Sequence, residues 1–273
     1  MKKNFHMKQT AARRPDTLQA TTSPAEPAPV HVREGHPDSR VVVVCEHAVN
    51  RMSARFGDLG IDPALLDSHI AWDPGALGVA EALAKSFRAP LVHGGLSRLL
   101  YDCNRPPQAK DAIPDRSEIH DIPGNRALSE TERTRRVEEI YNPFHASLAD
   151  VLHTRPARPV LITVHSFTPV YRGVTRAVEL GILHGEDPTL ARAMLTTAPE
   201  DNRFDTRINE PYGPADGVAY TLDRHGSANG LLNVMLEIRN DLIATSAAEQ
   251  AMARMLAPWL EAAMGAAEEE AGR

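Results

Sequence analysis

Three apolar runs organise this chain, and each ends on a side chain able to bind or carry a proton. The stretch Arg40 to Asn50, RVVVVCEHAVN, sets four valines and Cys45 ahead of Glu46 and His47. Pro159 to Ser166, PVLITVHS, closes on His165, and Leu231 to Arg239, LLNVMLEIR, carries Glu237 and Arg239. Apolar residues that run on without a polar alternate predict strands covered on both faces, as in a parallel sheet. Ligands and catalytic groups in open α/β sheets collect beyond the carboxyl ends of the strands, so these three endings are expected to meet.

Helical spacing fills the gaps between the runs. Asp62-Pro63 and Asp73-Pro74 each pair a capping residue with a proline at the first helical position. The first opens Ile61 to Ile70; the second opens GALGVAEALAKSF, where Leu77, Val79, Ala80, Leu83 and Phe87 suit a helix lying on a sheet. Ala89 to His93 follows as a short strand, and strand, helix, strand in that order predicts a parallel crossover. Ser129-x-x-Glu132 is a capping box ahead of the stripe Val137, Tyr141, Phe144, Leu148 and Val151. That spacing predicts a long helix to about Leu152, kinked at Pro143. A strand over Ala177 to Leu183, a helix from Asp187-Pro188 to about Thr197, and a C-terminal helix capped by Ser246-x-x-Glu249 complete the regular elements. On the last, Ala251, Met255, Leu256, Trp259 and Leu260 form the face turned to the sheet. Leu96 to Pro107 reads as a strand edge or loop, and Gln108 to Arg126, without periodicity, as a lid. Asn202 to Tyr220 reads as turns that approach a ligand. The chain is therefore expected to be an α/β protein.

Composition narrows this picture. The 273 residues are 42% hydrophobic, enough for one buried core, and no linker-like break follows residue 40. An ordered domain is expected over 40–265. Residues 1–39, rich in Pro, Thr, Ala and charge, read as a disordered leader, and 266–273 as a frayed acidic tail. The basic N-terminus lacks the apolar stretch of a secretory signal. No apolar run approaches the roughly 18 residues of a membrane span. A formal net charge of -6 argues against a nucleic-acid partner. The two cysteines, Cys45 and Cys103, read as reduced thiols, which makes the cytoplasm the expected compartment. A homo-oligomer is left open.

Among residues that can carry chemistry, His47 and His165 lead, because neutral imidazole is a common zinc ligand and each ends an apolar strand. Two core histidines bonded to carbonyls are the plain alternative. The third ligand is either Asp73 or Glu46. Asp73 competes with its own capping role, and Glu46 would point away from His47 were the strand to continue. Glu237, at the end of a buried strand, suits a general base with a pKa raised by desolvation; a salt bridge to Arg239 or Arg98 is the alternative. Arg98, Asn104 and Arg105 form a concentrated donor set suited to a substrate carboxylate, with Asp102 placed to orient one guanidinium. Arg172, Arg176 and Arg207 are looser candidates for that role. His145 is a candidate transition-state donor, or else a satisfied half-buried histidine. Cys45 sits too far along the strand from His47 for direct proton transfer, and reads as a small buried apolar residue.

The segments CEHAVN, DPGA, SRLLYDCNRP, YNPFH, VHSF, ELGIL, NEPYGPADGVAYT and LEIRNDL together resemble the motifs of the N-formylglutamate amidohydrolase family, in order from about Val41 to Leu242. The resemblance implies a single-domain fold similar to zinc-dependent exopeptidases (phosphorylase/hydrolase-like), a mixed, mostly parallel sheet flanked by helices. It also implies a divalent metal, expected to be Zn2+, activating water to cleave an N-formyl or N-acyl amide that bears a carboxylate. By that similarity His47 and His165 correspond to metal-binding histidines, Glu237 to the catalytic carboxylate, and Arg98, Asn104 and Arg105 to the substrate-carboxylate region. Members of the family that act on formylglutamate typically carry proline-histidine-serine-glycine where this chain has Glu46-His47-Ala48-Val49, so it resembles a divergent branch. Two rival readings stand beside this one. The first is a non-catalytic carboxylate-binding protein on the same scaffold, and the second a metal-free thiol amidase using Cys45.

Overall fold

Around the valine run, the computed structural model, which describes residues 26–156 and 158–271, builds a seven-stranded sheet. In chain order the strands are β1 (Val30–Arg33), β2 (Val41–Cys45), β3 (Leu91–Gly94), β4 (Arg116–Ser117), β5 (His120–Asp121) and β6 (Val160–Phe167). After them come β7 (Val170–Tyr171), β8 (Val174–Thr175), β9 (Leu180–Leu183), β10 (Thr206–Ile208) and β11 (Asn233–Arg239). The sheet order is β1-β3-β2-β6-β11-β9-β10, while β4 with β5 and β7 with β8 form separate two-stranded hairpins. The central strands β3, β2, β6 and β11 run parallel; β1 joins β3 and β9 joins β11 antiparallel. This is the mixed, mostly parallel sheet that the family resemblance implies.

Helices cover both faces because both faces are apolar. Val41, Val43, Cys45, Ile162, Val164, Leu236 and Ile238 share one core with α1 (Ala76–Phe87), α4 (Thr189–Thr196) and α5 (Ser246–Ala271). The alternate residues Val42, Val44, Leu161 and Met235 pack with Phe144, Leu148 and Leu152 of α3 (Asn142–His153) and with Leu99 and Leu100. Burial of large side chains such as Trp259, Phe144 and Leu161 contributes about 1.5–3 kcal/mol each. The indole of Trp259 also donates to the Met194 carbonyl at 2.6 Å, tying α5 to α4.

Several elements depart from the sequence expectation. The region read as a disordered leader supplies β1 at Val30–Arg33, whose backbone pairs with β3; residues 1–25 lie outside the described residues. The tail expected to fray from Ala266 is instead helical to Ala271, because Ala267 is buried against the core. The segment Ile61 to Ile70 forms only a short 3-10 turn at Pro63–Asp67, although Asp62 does cap it, accepting from the Ala64 amide at 2.9 Å. Pro143 sits in the first turn of α3, behind a wide π turn at Val137–Tyr141 that follows α2 (Glu130–Arg136). A wide turn offers room for a residue without an N–H, which accounts for a chain that continues where a kink was expected. The turns of Asn202 to Tyr220 include the edge strand β10. No helix among the described residues is long and apolar enough to cross a membrane.

Candidate active site

Strand β2 stops at Cys45, and that ending frees the next two residues from the alternation of a strand. Glu46 and His47 both turn toward His165 of β6: the two imidazole rings lie 4.9 Å apart, and Glu46 Oε2 is 3.1 Å from His165 Nε2. The neighbouring backbone makes room for this turn. A Cβ on Gly94 would lie 2.1 Å from the Glu46 carbonyl oxygen, so β3 can approach only as glycine.

Asp73 is released from the capping role its sequence suggests. Helix α1 begins at Ala76 with Gly75 at its N-cap, in the left-handed region at φ 81°, and the Asp73 side chain turns into the site. Its Oδ2 accepts from His165 Nδ1 at 2.9 Å and from His47 Nδ1 at 3.2 Å. The three residues are buried, and their potential ligand atoms lie within 4.8 Å of one another. The far nitrogen of each ring faces another carboxylate: His47 Nε2 donates to Asp102 Oδ1 at 2.7 Å, and His165 Nε2 faces Glu46. Carboxylates so placed are what orient metal-binding imidazoles. Two Nδ1 atoms and one carboxylate, converging and backed in this way, fit a divalent metal. Of the two candidate third ligands, Asp73 lies on the Nδ1 side and Glu46 on the far side of His165.

The charges explain how the cluster is held. Burial and Arg98 oppose a charge on His47, but Asp102 and Asp73 outweigh them and raise its pKa. Burial likewise opposes a charge on His165, and Glu46 and Asp73 raise it well above its usual range. Against its own burial, Asp102 is held far below the ordinary carboxylate range by Arg98 and then His47. Arg98 Nη2 donates to Asp102 Oδ2 at 2.5 Å and Nη1 to Asp73 Oδ1 at 3.4 Å.

Glu237 stands beside His165 in strand register, on β11, with its partner on the other side Gly181 of β9. Its Oε2 is buried without a hydrogen-bond partner. Burial first, and Asp73 after it, push its pKa up to about 7 against the pull of His165, His47 and Arg98. The salt bridge to Arg239 weighed from sequence does not form: Arg239 pairs with Asp241 and Glu179.

A cleft of about 300 Å³ opens on these groups, lined by His47, Asp73, His165, Glu237, Arg98, Asn104 and Arg105 among others. The predicted substrate donors thus border it, but their hydrogen bonds are largely taken. Asn104 Oδ1 accepts from the Thr221 amide at 3.0 Å and Nδ2 donates to the Val218 carbonyl. Arg105 Nε donates to Asp111 at 2.8 Å, Nη2 to the Asp216 carbonyl at 3.1 Å, and Nη1 to the Gly217 carbonyl. Together they staple the 216–221 segment to the loop that carries Asp102.

His145 is placed elsewhere, which corrects its reading as a transition-state donor. Its Nε2 donates to the Cys103 carbonyl at 2.9 Å and its Nδ1 pairs with His225 Nε2 at 2.8 Å, so neither nitrogen is free for a substrate. Burial lowers its pKa to about 4, leaving it neutral near pH 7. Cys45 belongs to the core shared with α1, and burial followed by Asp73 raises its thiol pKa further. No thiolate is available there to act as a nucleophile.

Sequence reasoning missed three features of the cleft. His69 lines it and pairs with Glu118 at 2.9 Å; the lid position of Glu118 was the available signal. Asp102 orients His47 as well as Arg98. Phe167, Tyr171 and Tyr212 form an aromatic wall that only an expectation of turns near Tyr212 anticipated.

The N-formylglutamate amidohydrolase family model matches residues 39–244. Among solved structures, the gene product Atu2144 from Agrobacterium tumefaciens is 47% identical with a TM-score of 0.85, over 88% of this chain and 96% of that one. The N-formylglutamate amidohydrolase from Ralstonia eutropha JMP134 is 17% identical with a TM-score of 0.61, over 89% of this chain and 98% of that one, a likeness of fold. No curated protein matches the chain.

Proposed function

The chain belongs to the N-formylglutamate amidohydrolase family, and on that premise we propose that it is a metal-dependent hydrolase of linear amides, removing a formyl or other acyl group from an amino acid. One observation carries the reading. Three metal-type donors, from His47, Asp73 and His165, converge at a cleft where Glu237 holds an unpartnered carboxylate oxygen. A divalent metal held there, zinc in this reading, would supply Lewis acidity to the scissile carbonyl and to an attacking water.

The side chains supply the remaining chemistry. With a pKa of about 7, Glu237 is poised between its two forms near neutrality. It takes a proton from water as the new C–O bond forms, then passes it to the amide nitrogen as the C–N bond breaks, releasing a carboxylic acid and an amine. Asp102 and Glu46 hold the two imidazoles in orientation. Arg98 and Arg105 border the cleft with their charges already met, Arg98 by Asp73 and Asp102 and Arg105 by Asp111, so they serve to hold the cluster and the cleft wall in place.

The test is hydrolysis of N-formylglutamate and other N-acyl amino acids by the protein as purified, after chelation, and after adding zinc back. Release of the free amino acid should stop on chelation and return with zinc. Turnover that survives complete removal of metal overturns the metal-dependent mechanism. Tight carboxylate binding without turnover in any form would favour a binding protein on this scaffold.

A further inference from the structure

We infer that Arg176 is the residue that receives the substrate's carboxylate, and that it thereby sets a preference for anionic N-acyl amino acids; the inference rests on the hydrolase reading above.

Arg176 lies at the base of the β7–β8 hairpin, just past the carboxyl end of β6. Its guanidinium carbon sits 4.6 Å from the Tyr171 ring, 4.8 Å from Tyr212 and 5.4 Å from Phe167, and all three rings line the cleft. Its backbone is pinned on both sides, the amide donating to the Pro169 carbonyl at 2.9 Å and the carbonyl accepting from Arg239 Nη1 at 3.5 Å. Nη1 also donates to the Thr168 carbonyl at 3.3 Å. A half-buried guanidinium fixed among three rings has lost most of its rotamer freedom before any ligand arrives, which lowers the entropic cost of an ion pair.

What Arg176 lacks is an anion. Among the described residues it has no carboxylate partner, whereas Arg98 is bound to Asp73 and Asp102, and Arg105 to Asp111. Arg105 has four of its five N–H groups engaged, counting a 3.4 Å contact to the Asn104 carbonyl, so it offers no fork for a carboxylate. The Arg172 guanidinium also has no carboxylate partner among the described residues, but its backbone amide donates to Glu118 Oε1 at 2.9 Å, and the side chain is exposed at the hairpin tip, where it stacks on Tyr171. The rings and the Thr168 carbonyl hold the Arg176 guanidinium without neutralising it, so its charge stays available to an anionic ligand.

Tyr212 connects this cation to the reacting end. Half-buried, it packs its ring on the Arg176 guanidinium, and desolvation first, then Glu237, raises its hydroxyl pKa to about 12. Tyr212 and Glu237 both line the cleft, and Arg176 stands behind Tyr212, so a carboxylate that reaches Arg176 lies along the same wall as the proposed general base.

The experiment uses glutarate, a dicarboxylate without the amide, as the binding probe, with N-formylglutamate and uncharged N-formylleucine amide as substrates. Calorimetry on zinc-loaded protein should show Arg176→Gln weakening glutarate about tenfold or more, the scale of a lost charge-assisted pair. KM for N-formylglutamate should rise by a similar factor, kcat should fall less, and the uncharged substrate should escape the KM penalty. Arg176→Lys, which keeps the charge without the fork, should recover part of the loss, and it replaces Arg176→Gln if that variant fails to unfold cooperatively. Arg172→Gln should bind glutarate within twofold of the parent. Glutarate affinity within twofold of the parent in Arg176→Gln and Arg176→Lys, or equal KM penalties on charged and uncharged substrates, overturns the assignment. A parent that turns over no N-acyl amino acid yet loses glutarate in Arg176→Gln overturns the hydrolase reading and leaves the carboxylate site standing.

Discussion

Glu46 Oε2 lies 3.1 Å from Nε2 of His165, the ring nitrogen that faces away from Asp73. Both atoms are buried and neither makes a well-aligned hydrogen bond, so the pair is electrostatic and depends on the carboxylate's charge. Glu46→Gln keeps the shape and removes that charge. Zinc affinity should fall by about 10–100-fold, the usual cost of losing such an orienting partner, as read by competition with a chromogenic chelator. Unaltered affinity would show that Glu46 only fills space.

Metal binding should release protons. Both imidazoles have pKa values raised from the ordinary 6.5, His165 well above it, so each metal-free ring holds its extra proton to higher pH than a free histidine, and that proton must leave before Nδ1 can bind. Calorimetry in buffers of different ionisation enthalpy should count net release at pH 7, diminishing as pH rises through the raised values. Net uptake would contradict this protonation scheme.

The same shifts fix the sign of a stability effect. A raised imidazole contributes stability that is complete below 6.5 and is lost as pH climbs through its folded pKa. Glu237, raised from 4.5 to about 7, works in the same direction, costing stability progressively across that interval. The lowered imidazoles of His145, His225 and His93 act in the opposite sense, but only up to about the unfolded value of 6.5, so chelated protein should melt at a lower temperature at pH 8 than at pH 7, measured by thermal denaturation at constant ionic strength. A melting temperature that rises over this range would reverse the assignment.

Removing the proposed proton acceptor should separate catalysis from metal binding. Glu237→Gln should lower kcat by about 10²–10⁴, the range for loss of a general base, while zinc stoichiometry stays at the parent level. Retained turnover would mean that another group moves the proton.

Gly181 tests how closely the site is packed from behind. A Cβ at this position would lie 2.2 Å from the Glu210 carbonyl oxygen and 3.1 Å from Glu237 Cβ. Gly181→Ala must therefore shift the segment leading into Tyr212. Destabilisation of about 1–3 kcal/mol is expected, with a raised KM, in denaturant melts and steady-state kinetics. A variant with parent stability would show that the segment yields freely.

How much of this was legible in the sequence depended on whether the information was local. The runs ending at His47, His165 and Glu237 announced buried strands because continuous apolar residues have no other stable place, and the sheet contains all three. Asp73 was ambiguous because Asp-Pro reads as a helix start, and only the left-handed Gly75 shows that the carboxylate is free for other work. Val30–Arg33 was read as a leader because its apolar–polar alternation, Val-His-Val-Arg, is only four residues long inside a Pro-rich segment, and what fixes it as an edge strand is pairing with the distant β3. Arg105 and His145 looked chemically available because a sequence shows donors but not the backbone carbonyls that occupy them.

The pairing of Glu237 with His165 across β11 and β6 has one further consequence. Two functional groups carried on adjacent strands take their spacing from the backbone ladder, so loop insertions elsewhere can vary without detuning it. A slip of one residue in either strand would turn a whole row of side chains to the opposite face. Misfolding in this sheet therefore abolishes the site outright, and a population of molecules should divide into competent and inert, with no class of half-active enzyme between them.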